Sequence, residues 1–182
     1  MQATSFLILA VLSAAFGTGA PVVQDRIVMY DPPPPPATLE QFVIEADAVV
    51  VVSIRDRGPW TGKSRYPFTE YRVTVDEVLK AHPSLSGTDL TFLELANDDR
   101  TLNARVKTQH APALQVGDQA VVFLWWTKGL DAFQVRNGQH GVYIVDGDHV
   151  RPALPESQLA KTLKGKSRAE FMRQLRAANK GR

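Results

Sequence analysis

The stretch FTEYRVTVDEVLKA, residues 68–81, decides the predicted fold. Tyr71, Val73 and Val75 alternate with polar residues, which is the pattern of a β-strand with one buried face. The next apolar residue stands three positions further on, so the alternation slips near Asp76. A β-bulge accounts for this slip, and bulges bend strands strongly enough to close a barrel. The alternative is a short helix over the second half of the stretch.

Other parts of the chain also have strand composition. They are apolar or β-branched and are bounded by turn residues: ADAVVVVSIRDR (46–57), TDLTFLEL (88–95), QAVVFLWW (119–126), AFQVR (132–136), and the hairpin GVYIV (141–145) with HVRP (149–152). Residues 58–67 read as a hairpin loop, and the long polar stretch 96–115 is either a mobile loop or contains a short strand. Strands without interleaved helices predict an antiparallel barrel or sandwich.

Three short helices are predicted beside the strands. TLEQFVIEA (38–46) precedes the first strand, and PESQLAKTLKG (155–165) and SRAEFMRQLRAANK (167–180) follow the last one. Glycine ends the first of the two C-terminal helices, while Ser167 and Glu170 have the spacing of a capping box for the second. The chain therefore ends in a helical pair.

The first twenty residues predict export. An eleven-residue apolar run, 6–16, is followed by small residues. This run suits the core of a signal peptide and is too short to span a membrane, which takes about 20 residues. We expect a signal peptide over residues 1–20, cleaved after Gly17, Gly19 or Ala20, and a periplasmic or secreted bacterial protein. An uncleaved anchor or a buried N-terminal strand are the alternatives.

Residues 21–37 are predicted to be a proline-rich linker. Five consecutive prolines, 32–36, favour an extended polyproline II segment. The simpler interpretation is a spacer between the signal and the folded domain, and the other is a docking sequence for an aromatic groove. The predicted barrel domain then covers residues 38–152, and the helical segment covers residues 153–182.

Four segments carry a resemblance to known proteins. In chain order they read ADAVVVVSI, EYRVTVDEVLKA, LQVGDQAVVFL and QHGVYIVDG. This order resembles a group of small exported bacterial proteins of unassigned role. It is also similar to netrin-like domains, which include tissue inhibitors of metalloproteinases and are built on an oligonucleotide/oligosaccharide-binding (OB) barrel. The resemblance covers roughly residues 39–151. It implies a mainly β, antiparallel, OB-like closed barrel with a short C-terminal helical pair.

The inhibitory activity of that family is not implied for this chain. Those inhibitors bind the zinc of their target protease through an N-terminal cysteine, and disulfides hold the inhibitory ridge in place. This sequence has no cysteine. The same absence excludes thiol nucleophiles, iron–sulfur clusters and cysteine-based zinc sites.

No motif in the sequence indicates catalysis. The serines lack a GxSxG elbow or an SxxK spacing, and no phosphate-binding loop or dinucleotide fingerprint is present. The histidines, which have no metal-ligand spacing, are His82, His110, His140 and His149. We therefore expect a non-catalytic binding module without cofactor or metal. A hydrolase with an unrecognised site is one alternative.

Aromatic residues are the best candidates for ligand contacts: Trp60, Tyr66, Trp125 and Trp126. Neighbouring residues of a strand face opposite sides, so the adjacent tryptophans cannot share one core. One ring should close the barrel. The other either packs under the long loop or the C-terminal helices, or contacts a protein, peptide or glycan ligand.

The net charge of the chain is concentrated in its tail. Residues 157–182 contain eight Lys or Arg and one acidic residue, whereas the remainder contains 13 Lys or Arg and 18 acidic residues. Four basic residues of the last helix are candidate contacts to an anionic membrane or cell-wall surface: Arg168, Arg173, Arg176 and Lys180. Envelope-surface association is thus the first alternative function, ahead of the hydrolase. Nucleic acid is not expected, because the barrel region is acidic. A monomer is expected.

Overall fold

The computed structural model describes residues 28–30, 33–64, 66, 68–95, 106–108 and 114–180. The predicted signal peptide, its cleavage positions and His110 lie outside these residues. The described strands are β1 (Val28–Tyr30), β2 (Ala48–Pro59), β3 (Phe68–Lys80), β4 (Asp89–Leu95), β5 (Val106–Thr108), β6 (Gln119–Thr127), β7 (Ala132–Val135), β8 (Val142–Asp146) and β9 (His149–Pro152). The helices are α1 (Leu39–Glu45), α2 (Gln158–Leu163), α3 (Arg168–Lys180) and a 3₁₀ helix (Gly138–Gly141).

Five of these strands close into a barrel. Their order is β2, β3, β4, β7 and β6, and β6 pairs again with β2. The pair formed by β4 and β7 is parallel and the other barrel pairs are antiparallel. Strand β6 also pairs with β8, which forms a hairpin with β9. The predicted mainly β, OB-like closed barrel with a short C-terminal helical pair is confirmed. The prediction that the barrel is antiparallel throughout is corrected at one pair, because β4 and β7 run parallel and make the barrel mixed.

Bulges give the strands the bend that the closed barrel needs. The register between β2 and β3 shifts three times, and the residues skipped are Leu79 and Asp76 on β3 and Arg55 on β2. The bulge predicted near Asp76 is therefore confirmed, and the helical alternative is wrong. The Asp76 carboxylate accepts hydrogen bonds from Ser53 Oγ at 2.8 Å and Gln119 Nε2 at 2.7 Å. These bonds join the bulge of β3 to β2 and to β6.

Strands β2 and β6 are buried on both faces, which explains their continuous apolar sequences. One face of each strand fills the barrel, and the other faces a layer of helices. Interior members of the two strands include Val50, Val52, Val122 and Leu124. Outward members include Val49, Val51, Val121 and Phe123, which pack with side chains of α1, α2 and α3.

The helical layer follows the sequence prediction closely. Thr38 Oγ1 caps α1 by accepting a hydrogen bond from Gln41 N at 3.1 Å. Ser167 Oγ accepts one from Glu170 N at 3.2 Å, which is the first bond of the predicted capping box. Gly165 separates α2 from α3 with φ of +80°, a left-handed conformation that glycine adopts readily. In the part of the chain that the structure describes, no helix combines the length and apolarity required to cross a membrane.

Two segments predicted as linker and loop contain short strands. Strand β1 lies within the proline-rich segment 21–37 and pairs in parallel with β5, which lies within the polar stretch 96–115. The interpretation of the polar stretch as containing a short strand is confirmed. The proline-rich segment also contacts the barrel, because Asn137 Nδ2 donates hydrogen bonds to Pro33 O and Pro34 O.

Candidate ligand-binding cleft

The adjacent tryptophans at the end of β6 lie in different surroundings. Trp126 continues the row of side chains that faces the barrel interior, and it packs against Phe133, with ring centroids 4.8 Å apart. His82 stacks on the same indole at 5.8 Å. Trp125 faces outward and is 42% exposed. The prediction that one ring closes the barrel is confirmed, and that ring is Trp126.

Trp125 does not form the floor for the helical tail. That position belongs to Phe123, two residues earlier on the same face of β6, which is fully buried against Phe42 and Tyr143. The α-helices therefore cover the outer face of β6 as far as Phe123 and leave Trp125 exposed. The alternation of side chains along the strand shows that the two rings face opposite sides, but it does not show which of them is exposed.

A cleft of about 310 Å³ brings two of the predicted aromatic contacts together. Its walls come from the loop after β2, the loop before β4, strand β4 itself and the loop between β6 and β7. The residues that carry its chemistry are Trp60, Ser84, Ser86, Asp89, Trp126 and Asp131. We call this the Trp60 cleft. In OB barrels the loop between the first two barrel strands and the loop between the last two flank the ligand-binding face, and this cleft lies between the equivalent loops.

Trp60 is held in a defined position by its own loop. Its ring meets the ring of Phe68 edge-on, with centroids 5.7 Å apart. The indole also lies over Gly62 so closely that a β-carbon built on that glycine would be 2.1 Å from the ring. Gly62 thus sets the orientation of the aromatic wall of the cleft.

We expect Gly62→Ala to turn the Trp60 ring out of position, because the added methyl group and the indole cannot occupy the same space. The fluorescence emission of Trp60 should shift. The free energy of unfolding, measured by circular dichroism, should change by less than about 1 kcal/mol. Gly58→Ala is the matched control, since its β-carbon would meet nothing within 4 Å. Equal fluorescence shifts for the two variants would contradict this role of Gly62.

The polar groups of the Trp60 cleft are hydroxyls and carboxylates. Ser84 and Ser86 come from the loop before β4, and Asp89 begins that strand. The Asp89 carboxylate also forms an ion pair with Arg55 at 2.8 Å. Asp131 is fixed in a left-handed turn with φ of +51°. None of the described residues that line the cleft is Lys or Arg, so the cleft favours neutral ligands over phosphates.

A buried carboxyl group lies inside the barrel, away from the Trp60 cleft. Glu94 is 6% exposed and accepts a hydrogen bond from Tyr71 Oη at 2.9 Å. Burial raises the pKa of Glu94 to about 7, although the bond from Tyr71 and the positive charge of Arg57 act in the opposite direction. Burial and the adjacent Glu94 carboxylate in turn raise the pKa of Tyr71. Glu94 was missed in the sequence analysis, although Leu90 and Phe92 alternate with solvent-facing residues and place position 94 on the interior face.

The remaining candidate residues are dispersed. Tyr66 is exposed in the hairpin loop, outside the described lining of the Trp60 cleft. Arg176 donates three hydrogen bonds to the Glu77 carboxylate, at 2.8, 3.0 and 3.1 Å, so Glu77 of β3 offsets part of the positive charge of α3. Arg173 and Lys180 are exposed, and Arg168 is half-buried. Association of the tail with an anionic surface stays a prediction.

No protein-family model matches the sequence, and no curated protein is similar to it at a significant level. Within the described residues, no group of three or more His, Asp or Glu is arranged to hold a metal ion. The function has therefore to be inferred from the chemistry of the clefts.

Proposed function

We propose that the protein is an exported, non-catalytic binding module whose barrel holds a neutral saccharide chain in the Trp60 cleft. The observation that carries this proposal is the convergence of Trp60 and Trp126 with serine hydroxyls and aspartate carboxylates in one cleft. Strand β4 and three loops supply these groups, and the closed barrel holds the loops together. A binding site on a rigid scaffold loses little conformational freedom when a ligand binds.

The chemistry of the cleft matches that of a sugar. Each face of a pyranose ring presents C–H groups that pack on an indole, and its rim presents hydroxyl groups. Ser84 and Ser86 can donate or accept hydrogen bonds, and Asp89 and Asp131 accept them. A cleft with a few convergent polar groups and aromatic walls is the usual form of a small-ligand site.

The charge of the cleft argues against a nucleic acid ligand. Proteins that bind single strands combine aromatic platforms with a basic groove that follows the phosphates. Here the aromatic platforms are present, but the charged side chains of the lining are Asp89 and Asp131. Carboxylates would repel a phosphate backbone and would accept bonds from sugar hydroxyls instead.

A binding role without turnover is favoured by the placement of the carboxyl groups. The Asp89 carboxylate is engaged by Arg55. Glu94, whose raised pKa would suit a general acid, faces the barrel interior and is not among the described residues that line this cleft. We therefore assign the cleft to recognition of a saccharide chain and not to its cleavage.

Replacing Trp60 with alanine should weaken saccharide binding by about ten-fold or more, because one aromatic wall is lost. The measurement is calorimetric titration of the full chain with neutral tetrasaccharides of β-1,4-linked glucose and of β-1,4-linked N-acetylglucosamine. Trp125→Ala is the matched control, since it removes an indole outside the cleft. Absence of saturable binding of both sugars to the unmodified chain, or an equal loss in the two variants, would refute the proposal.

A further inference from the structure

A second cleft lies on the outside of the barrel where β7 ends. Its volume is about 210 Å³, and its lining includes Pro33, Leu93, Glu94, Trp125, Arg136 and Asn137. We call this the Trp125 cleft. It shares Leu93 with the Trp60 cleft but none of that cleft's aromatic or carboxylate groups. Its occupant must therefore be recognised by different chemistry.

The proline-rich segment itself forms one wall of the Trp125 cleft, through Pro33. Asn137 Nδ2 donates hydrogen bonds to Pro33 O at 3.2 Å and to Pro34 O at 3.1 Å. Consecutive prolines form an extended segment whose carbonyls have no internal hydrogen-bond partners, so a side-chain amide can bind them in succession. Proline has no amide hydrogen, and such a segment offers acceptors without backbone donors.

The orientation of Asn137 agrees with such a ligand. Its Oδ1 atom is buried and has no hydrogen-bond partner among the described residues, whereas its amide nitrogen has two. The backbone at Asn137 is left-handed, with φ of +55°, a conformation that asparagine tolerates better than most residues. The turn between β7 and the 3₁₀ helix thus presents a donor to the prolines.

The aromatic wall of the Trp125 cleft is fixed in advance. Arg136 lies over the Trp125 ring, with the guanidinium carbon 5.7 Å from the ring centroid. The same guanidinium forms an ion pair with Glu45 of α1 at 3.2 Å, and Arg136 N donates to Phe123 O at 2.8 Å. Trp125 therefore presents a partly exposed, flat ring whose orientation is already fixed. Its side chain loses little conformational entropy when a ligand covers it.

We propose that the Trp125 cleft is a polyproline-binding groove whose resident ligand is the chain's own segment Pro33–Pro36. Aromatic-lined grooves recognise extended proline segments by packing their rings and by binding their carbonyls. Both elements are present here, in Trp125 and Asn137, and the resident prolines already use the second. The proline-rich segment is then a latch that closes onto the barrel and not a simple spacer.

The test uses the full chain with Pro33, Pro34, Pro35 and Pro36 all replaced by serine. Serine lacks the fixed backbone angle of proline, so the latch should open and vacate the groove. Acetylated hexaproline is the probe, followed by the three indole N–H signals in a proton–nitrogen correlation spectrum. We expect the probe to shift the Trp125 signal and to bind the serine variant about ten-fold or more tightly than the unmodified chain, where the tethered segment competes at high effective concentration.

Two further substitutions in the serine variant make the result specific. Asn137→Gly removes the amide and keeps a residue that accepts the left-handed backbone, and Trp125→Ala removes the aromatic wall. Each should lower the affinity for hexaproline by about ten-fold. Trp60→Ala should leave it unchanged, which separates this groove from the saccharide cleft. Absence of saturable hexaproline binding to the serine variant, or binding that Asn137→Gly does not weaken, would overturn the proposal.

Discussion

Replacing Glu94 with glutamine is expected to raise the free energy of unfolding by about 3 kcal/mol at about pH 8.5 and to leave it nearly unchanged below its usual pKa of 4.5. In the folded protein the pKa of this carboxyl is about 7, because burial disfavours the ionised form. The folded state therefore holds a proton between these two pH values that the unfolded state has released.

The sign of the pH dependence follows from that difference. Since the pKa is raised on folding, the contribution of Glu94 is fully present below pH 4.5 and is lost as the pH rises through about 7. Above this range the folded protein carries a buried carboxylate that Tyr71 and Arg57 stabilise incompletely. Glutamine keeps an oxygen that can accept the Tyr71 hydrogen bond and never ionises.

Urea unfolding of both chains at several pH values measures this effect. The stability of the unmodified chain should fall between pH 4.5 and about 7 more steeply than that of Glu94→Gln. Glu156→Gln, which neutralises an exposed carboxylate before α2, is the control and should follow the unmodified chain. Parallel pH profiles for the unmodified chain and Glu94→Gln would show that the buried carboxyl is not the titrating group.

Replacing Phe123 with alanine is expected to lower the free energy of unfolding by about 3–5 kcal/mol. The ring is fully buried between the barrel wall and the helical layer. It stacks on the ring of Phe42 in α1, with centroids 4.3 Å apart, and packs against the ring of Tyr143 in β8, with centroids 5.7 Å apart. Alanine would leave a cavity where β6, α1 and β8 meet. The cavity should persist, because these close-packed elements cannot move far enough to fill it.

Trp125→Ala is the matched comparison for Phe123→Ala. Both residues lie on the outward face of β6, two positions apart, but Trp125 is 42% exposed. Its loss should cost about 1 kcal/mol or less, because the larger aromatic ring already contacts water. The two variants can be compared by urea unfolding at one pH. Similar costs for both would mean that the helical layer does not depend on Phe123.

The barrel was predictable to a large extent from local pattern. The phase slip near Asp76 predicted a bulge, and the apolar, β-branched sequence of 46–57 predicted a strand. Both predictions rest on local pattern, because successive side chains of a strand point to opposite faces. The order of apolar and polar residues therefore indicates which face is buried. The parallel pairing of β4 with β7 has no such local signal, since it joins residues far apart in the chain.

The candidate sites were predictable by residue type and not by grouping. Trp60 was a candidate as an aromatic residue of a hairpin loop and Trp126 as one at a strand end. Ser84, Ser86 and Asp131 were ordinary loop residues in the sequence, and only the fold brings them to the same cleft. Glu94 lies on the interior face by its alternation with Leu90 and Phe92, but its residue type gave no indication of burial. Its burial depends on Tyr71, a residue of another strand.

The sequence by itself determined the strands of the barrel, the bulge near Asp76, the capped helices and the fact that the rings of Trp125 and Trp126 face opposite sides. These properties depend on residues within one or two turns or strand positions of each other. Only the tertiary structure decided that Trp126 closes the barrel, that Trp125 stays exposed and that the prolines reach Asn137. The physical reason is that exposure depends on what covers a side chain, and the covering residues come from distant parts of the chain.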